Sequence, residues 1–179
     1  MTTKKANKVK RPGTATLTPW LIGAAGIIAL IAVPTLINTS ERASLPGEAF
    51  PDQGNTHVAE GVTDTDYNSN PPTSGPHWET MASWGSYDFV VPDQVLLHNL
   101  EDGGVILWYT LGTVEENRAR IRQLEEVARG FERVAIAPRE GLERPFAATA
   151  WQRQQLFSAV DAAEVRAFIE AFEGVDHHG

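Results

Sequence analysis

The stretch that decides the reading of this chain runs Val95-Leu96-Leu97-His98-Asn99-Leu100-Glu101-Asp102-Gly103-Gly104-Val105-Ile106-Leu107-Trp108-Tyr109-Thr110-Leu111. Two apolar runs flank Asp102-Gly103, and Asp-Gly between hydrophobic runs is a strong hairpin signal. Both runs are therefore predicted as strands.

Downstream the pattern changes period. Thr113 and Glu116 form a T-x-x-E capping box, and Ile121, Leu124, Val127 and Ala128 follow as an apolar stripe. This predicts a helix over Thr113–Arg129, stopped at Gly130. Arg133–Ala137 reads as a buried strand ended by Pro138, and 147–151 and 155–158 as two further short strands. Asp161 and Glu164 open a second helix, whose Val165, Phe168, Ile169 and Phe172 share one face. The expected fold class is α+β: a small mixed β-sheet covered by two helices.

Upstream, residues 38–94 hold prolines at 46, 51, 71, 72, 76 and 92, with many Gly, Asn and Asp. Such density marks turns and irregular structure. Residues 38–50 read as a spacer. Residues 51–94, rich in aromatics and histidine, read as an ordered N-terminal loop layer of a domain spanning 51–175.

Residues 19–37 (PWLIGAAGIIALIAVPTLI) carry no charge and have the length of a transmembrane helix. Lys4, Lys5, Lys8, Lys10 and Arg11 precede them. The positive-inside rule then places a basic tail, 1–18, in the cytoplasm and the C-terminal domain outside the cell membrane. A cleaved signal peptide is the rival, disfavoured by the length of the apolar stretch and the lack of a clean A-x-A site. The head carries +5; the rest holds all 23 acidic residues against ten arginines, leaving −13. So acidic a body argues against a nucleic-acid surface, which needs clustered positive charge.

The 179 residues include no cysteine, which excludes disulfides, thiolate metal sites and cysteine nucleophiles. A metal must then be held by His, Met or carboxylate. His57, His77 and His98 lie in three unusual segments, too far apart for one local motif, so only the fold can assemble them. Met81, Glu101 and Asp102 are candidate supplementary ligands. Three imidazoles, or two with Met81, suit a copper ion; a carboxylate shifts preference toward zinc, iron or copper(II). The plainer alternative is a set of hydrogen-bonded structural histidines. On a strand, His98 and Glu101 would point to opposite faces, so no helical H-x-x-E pair is expected there. His177 and His178 fall where a frayed tail is the default.

DQGNTHV, YNSNPPTSGPHW, GSYDFVVPDQVLLHNLEDGGVILWY, RVAIAP and the late TAW together resemble the bacterial, membrane-anchored domain-of-unknown-function family 3105. The resemblance runs in order from about residue 51 to 172. It carries over onto His57, His77, His98, Asn99, Leu100, Glu101 and Gly103. Members typically continue HNLE with a second histidine, where this chain has Asp102, which puts the metal's identity in question. The resemblance implies an exported, uncharacterised, metal-handling protein.

The expected function is a membrane-tethered extracytoplasmic domain that binds a transition metal, copper favoured and zinc the alternative. Its work would be storage, delivery or sensing rather than turnover. A second reading is an accessory subunit or interaction module for a membrane protein partner, offering Trp78, Trp84, Tyr87 and Phe89 as its surface. A third is a metal-assisted hydrolase using Glu101, which would need an open coordination position.

Overall fold

The structure, a computed structural model, describes residues 45–178. The predicted anchor 19–37 and the tail 1–18 lie outside the described residues. Among those described, no helix is long and apolar enough to cross a membrane.

The elements run β1 (Glu48–Ala49), β2 (His57–Val58), β3 (His77–Trp78), β4 (Gly85–Ser86), α1 (Asp93–Glu101), β5 (Val105–Thr110), α2 (Val114–Ala128), β6 (Val134–Arg139), β7 (Phe146–Ala150), β8 (Arg153–Phe157) and α3 (Ala162–Phe172). Six strands form one mixed sheet in the order β1-β8-β7-β5-β6-β4. β5, β6 and β4 are parallel; β7, β8 and β1 continue antiparallel. β2 and β3 make a separate parallel pair. The α+β class stands. The three helices exceed the expected two, and residues 45–50 contribute an edge strand.

The added helix is the main correction. Residues 93–101 are α1, so Asp102-Gly103 closes a helix and is not a hairpin turn. Val95 and Leu96 N–H donate to Pro92 O, and Asp93 in the first turn pairs with Arg139. An acidic side chain there complements the helix dipole. At the other end Gly103 takes φ +75, and Gly103 and Gly104 N–H donate to Leu100 and Asn99 O. That left-handed residue just past Asp102 is the glycine stop common at helix ends.

Both sheet faces are covered. Val105, Leu107 and Tyr109 of β5 face α2 and α3, where they join Leu124, Val127, Val165, Phe168, Ile169 and Phe172. Ile106 and Trp108 face the other side, with Leu96, Leu97 and Leu100 of α1 and Trp151. This explains why Val105–Tyr109 shows no polar alternation: a strand buried on both faces is apolar throughout.

The first predicted capping box forms in full, and the second forms through Asp161 alone. Thr113 and Glu116 cap each other at α2, and Asp161 Oδ1 accepts from Ala163 and Glu164 N–H at α3. β6 does not end before Pro138 but runs through it, with Pro138 opposite Tyr109. Ile136 O accepts from Tyr87 N, so even positions of β6 turn their polar groups toward β4. β4 has ended by Pro138, so its missing N–H leaves no ladder bond unmade.

Burial pushes the Tyr109 phenol up from 10.0 to about 12; Asp88 adds to the rise and Arg120 opposes it. The folded state thus holds this proton more tightly than the unfolded chain does. The resulting stability is whole below pH 10 and is lost as pH climbs toward 12. Denaturant midpoints at pH 8 and pH ~11 should fall further for wild type than for Tyr109→Phe. Equal falls would show that Tyr109 does not drive the alkaline limb.

Candidate metal centre

The parallel β2–β3 pair sets His57 directly opposite His77. It is held by Gly75 N–H to Gly54 O, His77 N–H to Thr56 O, and Gln53 N–H to Ser74 Oγ. α1 brings His98 and Glu101 to the same place from one helix face, the i, i+3 pairing that a strand would not allow. Leu100 between them points into the core. Asn99 holds the neighbouring loop through two bonds, Nδ2–H to Ala82 O and Ala82 N–H to its own Oδ1, both 2.9 Å. HNLE thus does three jobs: His98 and Glu101 reach the cluster, Asn99 holds the loop and Leu100 fills the core.

One ligand atom each from His57, His77, His98 and Glu101 lies within 4.8 Å of the others. His77 and Glu101 are buried, at 0% and 1% side-chain exposure, while His57 is 39% exposed. Glu101 Oε2 lies 2.9 Å from His77 Nε2 and 3.4 Å from His57 Nε2. The imidazoles enclose one space, with ring centroids 4.9 to 5.4 Å apart. Ligand atoms bound at ~2.0–2.1 Å stand about 3.0 Å apart across a right angle and about 3.4 Å apart across a tetrahedral one. The two Glu101–histidine separations match those edges.

The tautomers follow from the partners. His77 Nδ1 is 2.8 Å from Gly75 O and His98 Nδ1 is 3.0 Å from Trp78 O. A carbonyl only accepts, so both Nδ1 atoms carry hydrogen and donate. In the neutral ring the lone pair is then on Nε2. His77 Nε2 faces a carboxylate oxygen, which also only accepts. A cation must lie between them, either a proton or a metal ion.

Glu101 provides the negative charge. Burial pushes its carboxyl up, but the Asn55 amide at 2.6 Å, the His77 hydrogen bond and the charge of His178 together hold it below its usual range. The C-terminal end of α1 favours a cation at this place, though it opposes the carboxylate's own charge.

The other sequence candidates are not members of this group of four. Met81 is 39% exposed and lines a shallow depression with Trp84, Asp102, Arg133 and Asp176. Asp102 joins His98 and His178 in a second group. Sequence reasoning missed three contributors. Asn55 orients Glu101; its place in DQGNTHV was the available sign. Trp151, from the TAW motif, packs edge-on against His77 at 6.1 Å. His178 was set aside as a frayed end, yet segment 174–178 is tied down. Gly174 N–H donates to Gly103 O, His177 N–H donates to Glu101 O, and His177 stacks on Trp151.

Of the aromatics offered as an interaction surface, Phe89 is exposed, Trp78 and Tyr87 are half-buried, and Trp84 packs against Gly104.

No curated protein and no solved structure matches the chain. A family model does match, over residues 57–178, which takes in every residue of the histidine–glutamate cluster. The chain therefore belongs to the family described as protein of unknown function, DUF3105.

Proposed function

We propose that this protein is a membrane-tethered extracytoplasmic domain that binds one divalent transition ion for storage, delivery or sensing. The ligands are Nε2 of His57, His77 and His98 and the carboxylate of Glu101. Copper(II) is favoured over zinc(II), because nitrogen–oxygen sites follow the Irving–Williams order. The observation that carries the reading is the pair of backbone-locked imidazoles. Their Nδ1 atoms are committed to Gly75 O and Trp78 O, which leaves Nε2 for a buried carboxylate site. Outer partners of this kind fix ring orientation in metal sites. Of the four ligands only His57 is exposed. The basic head and the uncharged stretch 19–37 support the tether and the orientation.

The full chain, titrated with Cu(II) and Zn(II), should bind one ion. The double variant His77→Ala, His98→Ala should lose more than the roughly 10–100-fold that removal of an outer partner costs. Equal affinity in the two chains would rule the site out.

A further inference from the structure

We propose that His98, Asp102 and His178 form an outer position for the same ion, from which it passes to the inner position while His98 stays bound. The proposal rests on the metal reading above and extends it to how the ion enters.

The outer group is separately built. One ligand atom each from His98, Asp102 and His178 lies within 4.8 Å of the others. His178 Nδ1 is 2.8 Å from Asp176 Oδ1 and donates to it, so in the neutral ring the lone pair is on Nε2. That Nε2 is 3.5 Å from Asp102 Oδ1 and 3.7 Å from Glu101 Oε2. His178 therefore stands between the outer and inner carboxylates. It is held there because segment 174–178 is bonded to Gly103 and Glu101 backbone. Gly103 makes that approach feasible. A Cβ on it would lie 2.8 to 2.9 Å from Val175 backbone atoms.

The two positions differ in exposure. His178 is 46% and Asp102 28% exposed, against 0% and 1% for His77 and Glu101. Of the inner ligands only His57, at 39%, is exposed, and on this proposal an arriving hydrated ion is held at the outer group first. Asp102 and Asp176 raise the local cation concentration there, an effect that speeds association; Arg133, which donates to Asp102 O, is the opposing charge nearby.

His98 links the two. Its Nδ1 is committed to Trp78 O, so only Nε2 can ligate. One lone pair serves one ion, and the two positions cannot both be filled through it. Transfer keeps the His98–metal bond. The bonds to Asp102 Oδ1 and His178 Nε2 break, bonds to His57, His77 and Glu101 form, and the proton held between His77 Nε2 and Glu101 is released to water.

The test is stopped-flow loading of the full chain with Cu(II), and removal of the ion by excess EDTA. In Asp102→Asn, His178→Ala the loading rate should fall about tenfold, within the range of electrostatic focusing, and the removal rate should fall with it, at one ion per chain and with a change in Kd well below that of Glu101→Gln. Unchanged rates would overturn the proposal. So would two ions per chain, or a loss of affinity as large as that of Glu101→Gln, which would make His178 a permanent ligand. If the wild-type chain binds no ion, the inner site itself falls and the transfer with it.

Discussion

Glu101→Gln should leave the metal-free fold intact and abolish the thermal stabilisation that a divalent ion gives the wild-type chain. The substitution keeps the shape of the side chain. Its amide oxygen still accepts from Asn55 Nδ2, and its N–H can donate to the His77 Nε2 lone pair. No buried polar group is left unpaired, so the usual cost of such a loss is avoided. The anionic ligand alone is gone. An ion at 100 times its Kd stabilises the state that binds it by about 2.7 kcal/mol. For a domain of this size that is a rise in Tm of roughly 10 °C. Thermal melts with and without Cu(II) or Zn(II) should show the rise in wild type and not in the variant, with the two metal-free curves close together. A variant that keeps the full rise would show that Glu101 is not a ligand.

Phe168→Ala should cost about 3–5 kcal/mol, from lost apolar transfer and a cavity that cannot collapse. The ring is fully buried on α3, packs at 4.8 Å against Phe172, and lies under the turn before β1. A Cβ on Gly47 would come within 2.9 Å of Phe168 Cε2, which shows how tightly that space is filled. Against a total of about 5–15 kcal/mol this is a large fraction. Val114→Ala, at a position 64% exposed on α2, should change stability by no more than about 0.5 kcal/mol. Urea midpoints measure both. A cost for Phe168→Ala no larger than for Val114→Ala would contradict the packing described.

The half of the fold after Gly104 is legible in the sequence because its signals are local. A capping box and an apolar stripe mark α2, and the Asp161 cap and an apolar stripe mark α3. Strand limits shift by a residue or two; β7 and β8 each begin earlier than their apolar cores suggest. α1 was misread for a physical reason. Its leucines pack on the sheet, and its polar residues Gln94, Asn99 and Glu101 are buried as well, so the helix has no solvent-facing charged stripe to set against its apolar face. Nine residues also give too few turns for the period to show. Asp-Gly then served two roles equally well, since a left-handed glycine follows a helix end as readily as it makes a tight hairpin.

The site divides along the same line. The three histidines and Glu101 were visible as residue types in a chain without cysteine. Their meeting was not, because it depends on a parallel pairing between segments 20 residues apart and on a helix taken for a strand. His178 escaped notice because its position is set by bonds from Gly174 and His177 to α1, contacts between distant parts of the chain that carry no local pattern.

One consequence follows from the carbonyls of Gly75 and Trp78 that hold the two imidazoles. Those oxygens belong to the main chain and survive any change of side chain. An alanine scan around the cluster would therefore pass over the groups that aim it. Substitutions that bend the backbone at these positions, with every ligand left in place, are the ones that would expose them.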